Sequence, residues 1–161
     1  MKTMRKGRFH ILLSFAAFLF PFLAASQTEK DSLVRALHGP MHDTVRVKAY
    51  FRLFELLAAP DIQKANLYLD SAAMLCKQLK NEAYTAELNF KYGVLYKLKG
   101  ELDKALEFLF PALQYYEKSS NKERHADVLI RIARNYDSRG NDEKSIEYYQ
   151  QALDVSKSAG Y

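Results

Sequence analysis

The chain has 161 residues, with 24 basic and 19 acidic side chains and 48% hydrophobic residues. This length is enough for one domain with its own core. Four of the basic residues and none of the acidic ones precede Gln27, which leaves 20 basic against 19 acidic residues in the rest of the chain. The basic excess therefore belongs mostly to the N-terminus and does not indicate a nucleic-acid-binding protein.

The first 26 residues have the layout of a secretory signal peptide. Basic residues within 2–8 precede an apolar run from Ile11 to Leu23, and the small residues 24–26 follow before Gln27. A membrane-spanning helix needs roughly 20 apolar residues, which is more than this run supplies. We predict a signal peptide over 1–26 with cleavage after Ser26, or after Ala25, and export to the periplasm or cell envelope; a leader retained as an anchor is the alternative.

An N-terminal segment follows over residues 27–42. Its sequence predicts a short helix from Asp31 to His38, which Gly39-Pro40 stops. His38 and His42 are four residues apart, but the Gly-Pro pair between them breaks the helical geometry that a shared metal would need, so we predict no metal site.

The single cysteine, Cys76, follows Ala65, Leu69 and Ala72 at helical spacing. This position favours a small buried apolar residue. An intermolecular disulfide or a reactive thiol are the alternatives for an exported chain.

From about residue 43 the sequence repeats with a period of forty, which is typical of an array of small helical units. Helix-breaking residues recur at Pro60, Gly100 and Gly140. Apolar residues recur at intervals of three and four on both sides of each of them. Each unit is therefore predicted to consist of a helix, a tight turn and a second helix. The predicted repeats cover about 43–80, 81–120 and 121–161, and together they form one domain over 43–161.

Local signals mark the helix ends. Gly100 and Gly140 suit the left-handed conformation that ends a helix. Acidic residues lie at or near the start of each second helix, where they stabilise free amides and the helix dipole; they are Asp61, Asp103, Asp142 and Glu143. Asp43 or Thr44 is expected to cap the first helix. Pro111 lies inside a helical pattern and is expected to kink that helix.

Small and large residues alternate at the positions that face neighbouring helices. Small residues let two helices approach closely, and large ones fill the space between pairs. The residues predicted to pack the repeats are Ala65, Ala72, Gly93, Tyr96, Gly100, Ala105, Leu109, Ala112, Ala133, Tyr136, Gly140, Tyr149 and Ala152.

The second unit, with Ala86, Gly93, Tyr96, Gly100 and Ala105, resembles a tetratricopeptide repeat (TPR), and the third unit is similar. The resemblance implies an all-α fold, a right-handed superhelical array of antiparallel helix pairs with about three repeats. More loosely, the leader and first repeat resemble the exported N-terminal TPR region of bacterial sensor histidine kinases and regulators.

In TPR arrays the first helices line a concave groove that receives a peptide or helix. By this resemblance the groove residues are Tyr50, Phe54, Leu57, Phe90, Val94, Lys97, Ile130, Arg134 and Asp137. This surface would be apolar at one end and charged at the other. It would suit an amphipathic helix or an extended apolar peptide better than an acidic tail.

The functional prediction is a non-catalytic exported scaffold that binds a protein partner, with no cofactor, no nucleic acid and no stable membrane span after cleavage of the leader. The alternative is the extracytoplasmic sensory region of a membrane-bound signalling protein. The sequence contains no phosphate-binding loop and no nucleophile motif. The last helix is expected to expose Ile146, Tyr149 and Leu153, so it either self-associates or continues into further repeats.

Overall fold

A computed structural model describes residues 27–160, and these residues divide between Met41 and His42 into two compact units. In the first unit, residues 27–37 are helical and His38 begins a turn. The prediction that this helix starts at Asp31 was therefore wrong. The predicted leader over 1–26 lies outside the described residues. Within the described residues, no helix combines the length and the hydropathy needed to cross a membrane.

The second unit consists of six α-helices of similar length joined by short turns, and residues 27–160 contain no β-strand. The helices are α1 (Asp43–Leu57), α2 (Ile62–Leu79), α3 (Glu82–Leu98), α4 (Leu102–Lys118), α5 (Lys122–Ser138) and α6 (Asp142–Ser158). Each helix packs against the next one in the chain, and α3 also contacts α1 and α5. The three pairs α1–α2, α3–α4 and α5–α6 correspond to the three predicted repeats.

Asparagine side chains cap three of the helices. The side-chain oxygens of Asn81, Asn121 and Asn141 each accept a hydrogen bond from the backbone N–H three residues later, at 2.9 to 3.1 Å. Asp61 caps α2 in the same way. The expected cap of α1 was wrong, because His42 precedes that helix and its Nδ1 accepts from the backbone N–H of Thr44.

Two glycines end the first helices of the second and third repeats in the predicted conformation. Gly100 and Gly140 have φ angles of 78° and 69°. Residues that have a Cβ atom rarely adopt such positive φ angles. Lys80 ends α2 with a φ of 51° and is the one non-glycine residue with positive φ in the described chain. Pro111 lies inside α4, which nevertheless runs as one helix from Leu102 to Lys118.

Close contact within a repeat depends on the small residues. A Cβ atom placed on Gly93 would lie 2.5 Å from Cγ of Leu109 and 3.3 Å from the carbonyl oxygen of Ala105. The other predicted packing residues that are buried are Ala65, Ala72, Ala105, Leu109, Ala112, Ala133 and Ala152, whereas the prediction was wrong for Tyr149, which is exposed because no further helix covers this side of α6 in the described residues. The buried apolar residues form two clusters, one shared by the first and second repeats and one shared by the second and third.

Aromatic rings pack between the two helices of each repeat. Tyr96 stacks on Phe108 at 5.3 Å between ring centroids, and Tyr136 stacks on Tyr148 at 5.6 Å. Leu56 stands at the equivalent position of the first repeat, where Tyr68 instead stacks on Tyr50 at 6.1 Å. The first repeat therefore keeps the aromatic contact with a different partner.

Candidate interaction groove

The first helices α1, α3 and α5 lie side by side, and charged side chains connect them. The central residue is Lys91 on α3, whose side chain is only 2% exposed. Its Nζ atom lies 2.5 Å from a carboxylate oxygen of Glu55 on α1 and 2.9 Å from one of Glu87 on its own helix. A buried ammonium requires such partners, because desolvation of an unpaired charge is costly.

Glu87 joins three helices. Its Oε1 accepts from Lys91, while its Oε2 accepts from Nε of Arg124 on α5 at 3.0 Å and from the hydroxyl of Tyr116 on α4 at 2.9 Å. Arg124 also pairs with Asp127 on its own helix at 3.1 Å. We call Glu55, Lys91, Glu87, Arg124 and Asp127 the charged network. It links the three first helices to one another.

The electrostatics of the network favour the ionised carboxylates. Burial raises the pKa of Glu55, but hydrogen bonds and charges from Lys91 and Arg52 outweigh it and hold that pKa below 4.5. Burial and the neighbouring carboxylate of Glu87 raise the pKa of Tyr116 well above its usual range. The tyrosine therefore stays a hydrogen-bond donor to Glu87.

Phe90 on α3 is surrounded by cations. The guanidinium carbon of Arg124 lies 4.7 Å from the ring centroid, Nζ of Lys91 lies at 5.6 Å, and the guanidinium carbon of Arg131 lies at 5.9 Å. These distances are within the range of cation–π attraction. The ring thus supports the basic side chains that reach over it from α5.

The predicted groove residues divide into a buried and an accessible set. Phe54, Leu57 and Phe90 are buried in the core, so they have little surface to offer a partner. Tyr50, Val94, Lys97 and Ile130 are partly buried, and Arg134 and Asp137 are exposed. Nζ of Lys97 donates to the hydroxyl of Ser138 at 3.0 Å, which adds another contact between α3 and α5. The accessible part of this face is therefore more charged than the sequence suggested.

A pocket of about 300 Å³ opens between α1 and α3. Most of its lining carries charge, and the lining residues are Lys48, Phe51, Arg52, Glu55, Ala83, Tyr84, Glu87 and Lys91. Arg52 pairs with Glu55 at 3.1 Å on its rim. The pocket therefore combines apolar surface, including Phe51, Ala83 and Tyr84, with the ion pairs of the charged network.

Sequence reasoning missed the charged network. Glu87 and Lys91 are four residues apart on one helix, a spacing at which side chains meet, and this signal was available. Glu55 and Lys91 are 36 residues apart, which is one repeat less a helical turn. Projecting the helical spacing across one period would have found that pair.

The remaining candidate positions have simple structural roles. Cys76 is buried, its Sγ lies 3.7 Å from the carbonyl oxygen of Tyr84, and burial raises the pKa of its thiol to about 11. It is therefore a small core residue with little thiolate character. No group of three or more His, Cys, Asp or Glu side chains in residues 27–160 could hold a metal ion.

Residues 84–158 match the tetratricopeptide repeat family. The match covers most of the second and third repeats, and with the all-helical architecture it identifies a TPR-like α-solenoid. Repeats of this type typically act as protein–protein interaction scaffolds. Among curated proteins, none matches this chain.

Proposed function

We propose that this chain is a non-catalytic scaffold that binds a segment of a partner protein along the first helices α1, α3 and α5. The observation that carries this proposal is the row of first helices, which the charged network holds together and which presents partly buried and exposed side chains to a ligand. A preformed surface costs less conformational entropy on binding than one that must be ordered first.

Crosslinking in the cells that produce the protein tests this function. A photoreactive amino acid at Ile130, in the groove, should capture a protein partner, whereas the same group at exposed Gln114 on α4 should not. Mass spectrometry of the captured peptide would identify the bound segment. Equal capture at both positions, or a small-molecule substrate turned over by the purified protein, would contradict the scaffold proposal.

We also propose that the protein is exported and that its leader is removed before Gln27. The support is the basic, apolar and small-residue layout of residues 1–26. N-terminal sequencing of the native protein from the envelope fraction should find Gln27, or Ser26, as the first residue. A chain beginning at Met1 in the membrane fraction would support the retained anchor, and one in the cytosol would refute export.

A further proposal concerns the outer face of α6, through which we propose that the protein self-associates. Ile146, Tyr149 and Leu153 are 68%, 40% and 46% exposed and follow one another at helical spacing. The equivalent residues of α4, forty positions earlier, include Leu106 and Leu109, which are buried in one cluster with Val128 and Ile132 of α5. The face on α6 is therefore an exposed apolar surface of the kind that α4 buries in the core.

Sedimentation tests the self-association. The full chain should form dimers at tens of micromolar, and Leu153→Lys should shift the equilibrium to monomer by placing a charge in the interface. Lys157→Gln, on the same helix, is the control. A monomer with well-protected α6 amides would contradict self-association and favour the signalling alternative, in which further helices of a longer chain cover this face.

A further inference from the structure

Arg131 is equivalent by the forty-residue period to Lys91, the best-neutralised cation of the groove. Lys91 has Glu55 from the preceding repeat and Glu87 from the preceding turn as carboxylate partners. The residue forty positions after Glu55 is Leu95, which is fully buried. Because leucine carries no charge, it cannot neutralise the guanidinium of Arg131. Arg131 therefore has one potential carboxylate partner fewer than Lys91 has.

The second carboxylate is also engaged elsewhere. Asp127 corresponds to Glu87, but its Oδ2 pairs with the guanidinium of Arg124 at 3.1 Å. Within the described part of the chain, no carboxylate oxygen lies within 4.0 Å of the Arg131 guanidinium, whose one specific contact is the ring of Phe90. Arg134 is exposed one turn further along α5, and it too has no carboxylate oxygen within 4.0 Å in the described residues.

The surroundings of Arg131 are positive. Burial lowers its pKa, and the nearby charges of Arg134 and Arg124 lower it further while Asp127 opposes them. An arginine remains protonated in such a site, and Arg131 forms no ion pair within the described residues. A guanidinium that is partly desolvated and lies near an aromatic ring can still pair with a carboxylate through its N–H groups.

We propose that the partner segment bound in the groove is acidic and that one of its carboxylate side chains pairs with Arg131 and Arg134 on α5. The inference rests on the proposed scaffold function and specifies its ligand. The sequence instead favoured an amphipathic helix or an extended apolar peptide over an acidic tail, but the structure places Phe54, Leu57 and Phe90 in the core and leaves arginines accessible.

Peptide display tests the inference. Random peptides are selected on the full chain, and those that crosslink to a benzophenone at Val94 in the groove are kept. We expect enrichment of Asp and Glu over the starting library. The double variant Arg131→Gln/Arg134→Gln should bind these peptides at least tenfold more weakly, whereas Lys118→Gln/Lys157→Gln removes the same charge from second helices and should change binding less than twofold.

A charge exchange makes the test specific to the contact. Arg131→Glu should lose binding of a selected peptide and regain it when the critical acidic residue of that peptide is changed to Lys. Thermal unfolding of each variant shows that the fold is kept. Groove-bound peptides without acidic enrichment, or with equal affinity for the double variant, would overturn this inference and leave the scaffold function standing; no peptide in the groove would overturn both.

Discussion

Asn135 on α5 is a polar residue at an apolar position of the repeat. It is 0% exposed, and neither its side-chain oxygen nor its nitrogen has a hydrogen-bond partner among the described residues. Forty positions earlier the equivalent residue is Leu95, which is buried in the core. An unsatisfied buried amide destabilises a fold, whereas an apolar side chain of similar size does not.

We expect Asn135→Leu to raise the free energy of unfolding by about 1 to 3 kcal/mol. Chemical denaturation at neutral pH measures this change. Asn66→Leu is the control, because the Asn66 amide bonds Asp70 and Lys99 and its replacement should bring no gain. A destabilised Asn135→Leu variant would show that the amide has a partner that compensates its burial.

His125 on α5 gives the stability a pH dependence. Burial lowers its pKa below 6.5, Lys122 adds to this effect, and Glu117 opposes it. The folded state therefore favours the neutral ring, so its contribution is complete above pH 6.5 and is lost as the pH falls toward the lower folded pKa. We expect the free energy of unfolding to decline as the pH falls from 7 through 6.5.

His125→Gln should remove this decline, and unfolding titrations at several pH values measure it. The variant should keep a separate loss of stability below pH 4.5, where protonation of Glu55 weakens its pairing with Lys91. An unchanged decline below pH 6.5 in His125→Gln would mean that another group causes it.

At the scale of the helices, the contact between α3 and α4 depends on Gly93. Alanine at this position would gain about 1 kcal/mol of helix propensity, but its Cβ would lie 2.5 Å from Leu109. Overpacking of this kind costs about 1 to 3 kcal/mol. We expect Gly93→Ala to lower the melting temperature, with a net loss of up to about 2 kcal/mol.

Ala133→Gly is the matched control for the same position in the third repeat. It relieves no clash and should cost only about 1 kcal/mol of helix propensity. If Gly93→Ala instead raised the melting temperature, Leu109 would have to move aside without loss of packing.

The sequence predicted the helices well because their determinants are local. Gly100, Gly140 and Asp61 act within one turn of chain, and the small residues recur at the same place in each unit. The groove was predicted less well. Whether Phe90 is buried or accessible depends on how far Arg124 and Arg131 reach from the next repeat, which no local pattern records. The exposure expected for Ile146, Tyr149 and Leu153 was confirmed, because it follows from the repeat register.

At the scale of the whole molecule, stability of a repeat array is the sum of the repeats and of the interfaces between them. Glu87 is shared by both interfaces, because it bonds Lys91, which reaches Glu55 on α1, and Arg124 on α5. Its loss would weaken the coupling of the second repeat to both neighbours at once. We therefore expect Glu87 to contribute to the cooperativity of unfolding.

We expect Glu87→Gln to lower the free energy of unfolding by about 3 kcal/mol, the lower end of the range for a broken buried ion pair, because Lys91 keeps Glu55. Glu55→Gln, whose carboxylate is 40% exposed, should cost less. Because the repeats then unfold less cooperatively, the dependence on denaturant should also become shallower. Urea titrations followed by helical and tyrosine signals measure both effects; coincident transitions with an unchanged slope would show that the apolar core alone couples the repeats.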